Sequence, residues 1–408
     1  MSVSELRSTI SRAIEPHVTR CAASFPAVAI VGPRQSGKSV LARHAFPGHR
    51  AWVLESPDVA AFARADPRGF LAKAPSESGA ILDEIQRVPE LLSYLLEVID
   101  ANRAPGRWIL TGSESLQLSS GISQSLAGRV AMLELLPMDG TEVARLAPGH
   151  GVEAPSLDHA LLAGGYPPIH AERLDPVLWL SNYVATYLER DVRSVLRLGD
   201  LNAFRRFMAL CAGRTGQLLN VSALAADAGV SAPTARSWIS VLEATFVLAL
   251  LPAWHGNVRK RLVKSPKLHM LDSGLTCSLL GIRSTEHLST HPLRGPMFES
   301  WVVAESMKAQ ANAGQRHAWS HWRDQSGLEI DLMVETPRHR VGIEVKAGAT
   351  FQREWLDPIL RWSSTFDDAS KPPQPKIVCG VEPHQAPTDV ISWRSWPASV
   401  SAMMRELG

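Results

Sequence analysis

The stretch that most constrains the fold is GPRQSGKS at residues 32–39, which directly follows the apolar run AVAIV. A short β-branched run of this kind is typical of a buried parallel strand, and SVLARHAF after Lys38 has helix-forming character. A glycine-rich turn between strand and helix that ends in lysine and serine matches GxxxxGK[ST], a loop whose backbone N–H groups wrap phosphates. This part of the chain is therefore predicted to be a parallel α/β sheet with a nucleotide phosphate site at the carboxyl ends of its strands.

Every required position of this phosphate loop is filled. In such a loop Lys38 would reach the β and γ oxygens of a nucleotide, and Ser39 would offer its hydroxyl to Mg²⁺. The predicted nucleotide-binding residues are Gly32, Pro33, Arg34, Gln35, Ser36, Gly37, Lys38, Ser39 and Val40. A chance glycine-rich turn is the alternative, but the flanking strand and helix argue against it. The chain shows no NKxD-type guanine-reading motif, so ATP with Mg²⁺ is the predicted cofactor.

Two further apolar strands end in polar residues suited to hydrolysis. GAILDEIQRVP ends in Asp83 and Glu84, which resemble a Walker B pair: Asp83 would hold Mg²⁺ and Glu84 would polarise the attacking water. RWILTGSES offers Ser113, with Thr111 as the alternative, as a sensor of the γ-phosphate. Arg129 precedes a further apolar strand, where ring-forming ATPases present an arginine finger to a neighbouring subunit, although an ordinary surface salt bridge explains it too.

Length and composition predict several globular domains. The 408 residues, 45% hydrophobic and 20% charged, suit an α/β protein with domains at about 1–150, 151–290 and 291–408. The net charge of +2 means that attraction to nucleic acid would need local clusters of basic residues. Four scattered cysteines and the lack of a signal-like or membrane-spanning stretch predict a cytoplasmic protein with no membrane partner.

The middle of the chain carries the pattern of a winged helix at about residues 204–270. After the loop GGYPPI and a long amphipathic stretch, VSALAADAG reads as a helix ended by Gly229, and Ser231 can cap a second helix. Such a pair with a tight turn is a helix-turn-helix, and the basic stretch that follows would be its wing. The predicted DNA-binding residues are Thr234, Arg236, Arg259, Lys260, Arg261, Lys264 and Lys267. A charge run that is merely solvated, on a winged helix that only packs domains, is the alternative.

The last third predicts a carboxylate cluster. Glu299 lies near the start of a helix, and two strands joined by the turn TPRH bring Asp331 together with Glu344 and Lys346, because strand side chains alternate between faces. This is the skeleton of the PD-(D/E)xK nuclease fold, in which Asp331 and Glu344 would bind Mg²⁺ with Glu299 and Lys346 beside them. A scaffold that keeps these side chains without cutting DNA is the alternative.

Together these stretches resemble the prokaryotic AAA-type (AAA+) ATPases with a C-terminal domain of uncharacterised function. The resemblance covers nearly the whole length and implies ATP hydrolysis. The matching stretches are GPRQSGKS, LDEIQRVPELL, ILTGSESLQL, LAGRV, GGYPP, YLERDV, RTGQLLN, LAADAGVS, KRLVKSPKLHMLDSGL, FESWV, WRDQSGLEIDLMVE and IEVKAG. One departure is the lack of a helical lid with a clear sensor arginine. Either the helices of residues 155–200 substitute for it, or the nucleotide is held more openly.

Three functions are compatible with these features. The leading hypothesis is an ATP-hydrolysing protein that remodels or translocates on DNA, including branched or forked DNA, as a homo-oligomer. The second is an ATP-gated, Mg²⁺-dependent DNA nuclease acting in defence. The third is a nucleotide-switched regulator whose winged helix reads an operator, which predicts strong sequence preference.

Overall fold

The computed structural model of the chain describes residues 10–113, 128–146, 155–188, 201–254, 265–315, 319–324, 326–336, 338–348, 350–366, 371–380 and 389–407. Within them the chain forms three sheets, each with its own helices. In the described residues no helix is long and apolar enough to cross a membrane.

The N-terminal unit is built on a five-stranded sheet in the order β2-β3-β4-β1-β5, and all of its pairings are parallel. Its elements are α1 (Glu15–Ala22), β1 (Ala27–Val31), α2 (Lys38–Ala45), β2 (Arg50–Val53), α3 (Pro57–Ala65), α4 (Pro67–Ala72), β3 (Ala80–Asp83), a 3₁₀ turn (Ile85–Arg87), α5 (Leu91–Ala101), β4 (Trp108–Gly112) and β5 (Val130–Glu134). Strands β1, β3 and β4 are buried along their whole length, with apolar clusters on both faces. The predicted α/β class and the parallel sheet are confirmed.

Short helices follow this sheet and lead into the middle of the chain. They are α6 (Gly140–Leu146), α7 (Leu157–Ala163), α8 (Pro167–Ala171) and α9 (Pro176–Tyr183), which continues as a π-helix (Val184–Leu188). The prediction that GGYPPI is a loop is wrong for its second half. Pro167 begins α8, because proline lacks an N–H group and its φ angle suits the first turn of a helix.

A helical unit with a three-stranded sheet comes next. Its elements are α10 (Leu201–Ala212), β6 (Gln217–Leu218), α11 (Val221–Ala228), α12 (Ala232–Ala244), β7 (Leu248–Leu251), β8 (Lys267–Met270), α13 (Ser273–Leu279) and α14 (Thr285–Ser289). Gly229 ends α11 in the left-handed conformation, and the Ser231 hydroxyl accepts from the Thr234 N–H at the start of α12. Both helix boundaries lie where the sequence predicted them. Strand β8 is central and pairs antiparallel with β6 and β7.

The C-terminal unit packs a long helix against a mixed sheet in the order β13-β12-β11-β10-β9. Its elements are α15 (Arg294–Ala313), β9 (Ser320–Arg323), β10 (Glu329–Glu335), β11 (Arg340–Lys346), a 3₁₀ turn (Arg353–Trp355), α16 (Leu356–Ser363), β12 (Pro373–Cys379), β13 (Val390–Ser392) and α17 (Trp396–Leu407). The predicted antiparallel pairing of β10 with β11 is present, with Leu332 opposite Ile343.

Hydrogen bonds to main-chain groups join the three units. The segment after β7 runs beside β9: the His321 N–H donates to the Pro252 carbonyl (2.9 Å), and the Trp254 N–H donates to the His321 carbonyl (2.6 Å). Helix α15 reaches the N-terminal unit, where Lys308 Nζ donates to the Met138 carbonyl (3.0 Å) and the Gly140 N–H donates to Glu305 (2.8 Å). The C-terminal unit is thus anchored to both of the others.

Candidate functional site

The phosphate loop has the shape that its sequence predicts. Gly37 has a φ angle of 95° and immediately precedes α2, and a side chain at Gly32 would lie 2.1 Å from the Leu135 carbonyl oxygen. Lys38 is only 5% exposed, and its ammonium donates to the carbonyls of Gly32 (2.9 Å) and Pro33 (2.8 Å). The Ser36 hydroxyl is buried without a hydrogen-bond partner in the described part of the chain. A buried ammonium and an orphaned hydroxyl beside a glycine loop suit a phosphate ligand.

The two predicted magnesium ligands of this site are in contact. Asp83 ends β3 and is 5% exposed. Its Oδ1 accepts a hydrogen bond from Ser39 Oγ at 2.7 Å and a second one from the Thr111 hydroxyl. A hydroxyl and a carboxylate held together on neighbouring elements are oxygen ligands of the kind that Mg²⁺ prefers. The residues present therefore fit a nucleotide with Mg²⁺.

Glu84, which follows Asp83, is held in an unusual backbone conformation. Its φ angle is 60°, in the left-handed region, and its N–H donates to the Thr111 hydroxyl at 3.2 Å. Its carboxylate accepts from Ser113 Oγ (3.1 Å) and from Gln86, whose amide also donates to Ser113 at 3.0 Å. A non-glycine residue strained in this way is common at functional sites. The sequence reasoning missed Gln86, although its position in LDEIQ, two residues after Glu84, was a usable signal.

A cavity of about 300 Å³ opens beside the phosphate loop, and we call it the nucleotide pocket. Its walls include Ile10, Arg12, Val40, Leu41, Pro167 and Trp179. Apolar and aromatic walls next to a phosphate loop suit the flat base of a nucleotide. Of the predicted binding residues, Gln35, Gly37 and Val40 line it, whereas the walls from the N-terminal segment and from α8 and α9 were not predicted.

Arg12 is hydrogen-bonded to the phosphate loop. It is 4% exposed, its Nε donates to Glu142 at 2.9 Å, and its two terminal nitrogens donate to the carbonyls of Ser36 (2.6 Å) and Leu136 (2.8 Å). Its guanidinium therefore links the loop to the strand end and to α6. Arg12 and Glu142 are far apart in sequence and belong to no motif, so no pattern could have paired them.

The helices after β5 cover the phosphate loop. Pro167 of α8 lies near Gly37, and the Tyr183 hydroxyl of α9 donates to the Arg34 carbonyl at 3.4 Å. Asp272, which follows β8, accepts from the Gly165 N–H at 2.8 Å and from the Leu275 N–H of α13. These contacts place helices from residues 155–188 against the phosphate loop; that helices of residues 155–200 substitute for the missing lid stays a prediction.

Arg129, just before β5, pairs with Asp100 of α5. The Nε to Oδ1 distance is 2.6 Å, and the two side chains are 27% and 41% exposed. The pair is the surface salt bridge that the sequence reasoning kept as an alternative to an arginine finger. A finger role in a neighbouring subunit stays a prediction.

The predicted DNA-binding residues fall into three groups. On α12, Arg236 is exposed, whereas Thr234 is half-buried and its N–H and hydroxyl bond to Ser231 at the helix start. The four cations Arg259, Lys260, Arg261 and Lys264 lie outside the described residues. The inclusion of Lys267 was wrong, because its side chain is 3% exposed and its ammonium is fully engaged with carboxylates.

Those carboxylates form a cluster that we call the acidic centre: Glu299, Glu329, Asp331 and Glu344, with Lys267 and Lys346. The Lys267 ammonium lies 2.7 Å from Glu299, 2.5 Å from Glu329 and 3.4 Å from Asp331. Lys346 lies 2.5 Å from Glu344, and Asp331 also accepts from the Val345 N–H at 2.9 Å. The four residues predicted from the sequence are thus together, and Lys267 and Glu329 are the two members that were not predicted.

This geometry differs from the predicted magnesium arrangement. Across the described ranges, no three histidine, cysteine, aspartate or glutamate side chains are grouped as they would be around a metal ion. Glu299, Glu329 and Asp331 converge on the Lys267 ammonium instead. A metal at Asp331 and Glu344 stays a prediction.

Burial changes the protonation of the acidic centre. It raises the pKa of Glu299 to about 8 and that of Glu344 to about 7, with Asp331 adding to both shifts. Burial alone would lower the pKa of Lys267, but Glu299, Asp331 and Glu329 outweigh it, so this pKa is raised and the ammonium stays charged. Both shifts favour the protonated carboxyl groups at higher pH than in water.

We expect the stability of the wild type relative to Glu344→Gln to fall as the pH rises from about 5 to 8. The folded state holds a proton on Glu344 up to pH about 7, whereas the unfolded state releases it near 4.5. Each extra proton held by the folded state lowers the unfolding free energy by up to about 1.4 kcal/mol per pH unit within that window. Urea unfolding of both proteins at several pH values measures the difference. A constant or rising difference would contradict this expectation.

Comparison with known proteins identifies the first part of the chain. Residues 24–144 match the family model of the AAA domain, and residues 154–286 and 294–396 match two domains of unknown function, DUF8612 and DUF4143.

The uncharacterized protein Rv2008c of Mycobacterium tuberculosis is 33% identical over 331 residues, which are 80% of this chain and 71% of that protein. The uncharacterized protein Mb2031c of Mycobacterium bovis matches with the same values. The chain belongs to the family of these mycobacterial proteins. It contains an AAA-type P-loop ATPase domain followed by domains of unknown function, as the resemblance implied.

Solved structures show weaker likeness. The Walker-type ATPase PABY2304 of Pyrococcus abyssi has a TM-score of 0.46 and 14% identity, covering 65% of this chain and 94% of its own. A point variant of RuvB from Thermotoga maritima has a TM-score of 0.31 and 21% identity, covering 61% and 89%. AMPPCP-bound DnaA of Aquifex aeolicus has a TM-score of 0.29 and 15% identity, covering 56% and 85%. These low TM-scores support no conclusion about function.

Proposed function

We propose that the chain hydrolyses ATP and uses the energy to remodel or move along DNA as a homo-oligomer. The proposed ATP hydrolysis rests on one observation, the contact of Ser39 with Asp83 at 2.7 Å. The adjacent Lys38 is held in the same loop by a hydrogen bond to the Gly32 carbonyl. Lys38 and Ser39 are neighbours in the phosphate loop, Asp83 ends a different strand, and the three side chains lie where the Mg²⁺ and phosphates of a nucleotide would lie.

The residues of the phosphate site would each have a separate role in hydrolysis. Lys38 would exchange its two carbonyl partners for phosphate oxygens, and Ser39 and Asp83 would hold Mg²⁺, which supplies charge neutralisation when it is bound. Glu84 would orient the attacking water, with Gln86 and Ser113 holding its carboxylate in position. The nucleotide pocket, closed by α8 and α9, would take the base.

The order of elements in the middle unit supports a winged helix. Helix α10, strand β6, helices α11 and α12, and strands β7 and β8 follow one another, and β7 and β8 flank the basic stretch of residues 255–264. Helix α12 exposes Arg236, Ser237 and Ser240 on one face. Cations that neutralise phosphates would give binding that weakens with salt and has little inherent sequence preference.

An oligomer fits the position of Arg129. Its partner Asp100 is partly exposed, and water screens exposed ion pairs, so exchanging Asp100 for a phosphate in a neighbouring subunit would cost little stability. Hydrolysis would then depend on assembly.

We expect DNA to stimulate ATP hydrolysis and to bind in a salt-sensitive manner. Replacing Arg259, Lys260, Arg261 and Lys264 together by glutamine should reduce the slope of log affinity against log salt by up to about 3.6, because each of four neutralised phosphates contributes about 0.9. Fluorescence anisotropy with single-stranded, duplex and forked DNA, and ATPase rates with the same DNAs, measure both effects.

Arg236→Ala should weaken the stimulation, whereas Arg283→Ala, at an exposed arginine outside α12, should leave it unchanged. No stimulation by any DNA, together with no salt-sensitive binding, would remove the DNA-motor proposal. Slow hydrolysis with strong preference for one duplex sequence would instead support the nucleotide-switched regulator.

A second candidate, an ATP-gated nuclease, has one observation in its favour. Asp331, Glu344 and Lys346 lie together on adjoining strands, as phosphodiester cleavage with Mg²⁺ would need. The Lys267 ammonium stands among the same carboxylates, so cleavage would require it to move. Including a cleavage assay in the DNA panel decides between the two candidates.

A further inference from the structure

A second cavity, of about 600 Å³, lies where the three units of the chain meet, and we call it the junction cavity. The N-terminal unit contributes His17 of α1 and Met132 of β5 to its wall. The middle unit contributes Phe246, between α12 and β7, and the C-terminal unit contributes Gln310 from the second half of α15. Pockets for small organic ligands measure roughly 300–1,000 Å³, so this cavity has the size of a ligand site.

Most of the wall of the junction cavity is apolar. Leu133, Leu136 and Leu271 line it together with Met132, Met307 and Phe246, which are all half-buried. Apolar surface that stays in contact with water is unfavourable, and a ligand with an apolar body would cover it. Methionine sulfur atoms and a phenylalanine ring both make favourable contacts with aromatic rings. The wall therefore suits an aromatic body.

The acidic groups in this wall are two carboxylates. Glu134 ends β5, and Glu243 lies in the last turn of α12. Among the described residues, no lysine or arginine lines the cavity. His17 supplies no positive charge near neutral pH, because burial and the neighbouring Arg20 lower its pKa. Burial raises the pKa of Glu243, and a cation beside this carboxylate would favour its charged form.

Two further observations at this wall point to a ligand. The Oε1 atom of Gln310 is buried without a hydrogen-bond partner among the residues that the structure describes. The last torsion of a glutamine side chain is broad, so this acceptor can turn towards a donor in the cavity. Phe246 has a φ angle of 58°, a conformation in which a bulky residue is a genuine outlier. Backbone strain of this kind is concentrated at functional sites and ligand clamps.

We infer that the junction cavity binds a small organic cation, an amine with an aromatic body. Its ammonium would pair with the carboxylates of Glu243 and Glu134, and its ring would lie against Met132, Phe246 and Met307. Such a ligand contacts all three units at once, so it would stabilise their assembled arrangement. A neutral or anionic ligand of the same shape would leave the carboxylates without a counter-charge.

The inference needs neither ATP nor DNA, and it is tested on the full chain without nucleotide. The probe is tryptamine. Its matched ligands are tryptophol, in which a hydroxyl replaces the ammonium, and indoleacetate, which carries the opposite charge. Ligand-observed nuclear magnetic resonance titrations measure the three affinities, and thermal unfolding follows the melting temperature against ligand concentration.

Tryptamine should bind at least about tenfold more tightly than tryptophol, because charge-assisted hydrogen bonds are roughly twice as strong as neutral ones. Indoleacetate should not bind measurably, since its carboxylate would meet two others. The melting temperature should rise with the concentration of tryptamine, because a ligand that binds only the folded chain stabilises it.

Variants of the wall assign the binding to this cavity. Glu243→Gln should lower the affinity for tryptamine by at least about tenfold and leave that for tryptophol unchanged. Glu354→Gln, at an exposed glutamate outside the cavity, is the matched control and should bind as the wild type does. Ala311→Leu adds volume to the wall and should weaken the binding of both ligands. If Ala311→Leu does not fold, Ala249→Val makes the same test on β7.

The inference is overturned if the folded chain does not bind tryptamine, or binds it no more tightly than tryptophol. It is overturned as well if Glu243→Gln and Glu134→Gln both keep the wild-type affinity, if Glu354→Gln loses as much affinity as they do, or if filling the cavity changes nothing. None of these measurements involves hydrolysis, so a failure of the ATPase proposal would leave them unchanged.

Discussion

Lys38→Ala should lower the rate of ATP hydrolysis by at least about 10²–10³-fold, the loss typical when a preorganised charge at the reacting phosphates is removed. The ammonium is buried and already lies over the loop, where it donates to two of the loop's own carbonyls. Its removal leaves a loop that can still wrap phosphates with its backbone but lacks the charge at the β and γ oxygens. Steady-state phosphate release at saturating ATP measures the loss.

The variant Glu84→Gln should separate the rate of ATP hydrolysis from the affinity for nucleotide. It should also stop hydrolysis, because an amide cannot polarise the attacking water as a carboxylate does, yet nucleotide affinity should stay close to wild type. Lys73→Ala, at an exposed lysine over Phe62, is the matched control and should hydrolyse ATP at the normal rate. Wild-type hydrolysis by Lys38→Ala would show that GPRQSGKS is not the catalytic phosphate loop.

Arg12→Ala should destabilise the ATPase domain by about 3–5 kcal/mol, since breaking a buried ion pair leaves the other charge uncompensated. The pair with Glu142 is nearly inaccessible, with side-chain exposures of 4% and 1%. The same guanidinium donates to the Ser36 carbonyl of the phosphate loop, so nucleotide affinity should fall as well. Urea unfolding and equilibrium binding of a fluorescent ATP analogue measure the two effects.

The double variant Arg12→Ala with Glu142→Gln should recover part of the lost stability, because the orphaned carboxylate is gone. Arg43→Ala, at an exposed arginine of α2, should change the unfolding free energy by less than about 0.5 kcal/mol. A single Arg12→Ala variant as stable as Arg43→Ala would show that the buried pair contributes nothing.

Features that depend on local sequence were predictable. The phosphate loop follows from residue types that one tight turn requires, and the boundaries at Gly229 and Ser231 follow from helix-capping chemistry. The meeting of Asp331 with Glu344 follows from alternation along two paired strands. Each of these predictions depends only on residues that are close in sequence or that face each other within one hairpin.

Contacts between distant segments were not predictable. Lys267 looked like one more cation of a basic run, because its sequence neighbours are Lys264, Arg261 and Lys260, while its carboxylate partners lie in another unit. Arg12 was not singled out from the sequence, because its partner Glu142 is 130 residues away. In both cases burial decides the role of the side chain, and burial depends on the assembled fold.

The position of Lys267 also has a consequence for the order in which the chain is made. Strand β8 leaves the ribosome before α15 and β10, so Lys267 exists for a time without Glu299, Glu329 and Asp331. An unpaired ammonium cannot stay buried with its charge, so it must remain in water until those carboxylates have been synthesised. We therefore expect the Lys267 side chain to take its final position only when the C-terminal unit has folded against the middle unit.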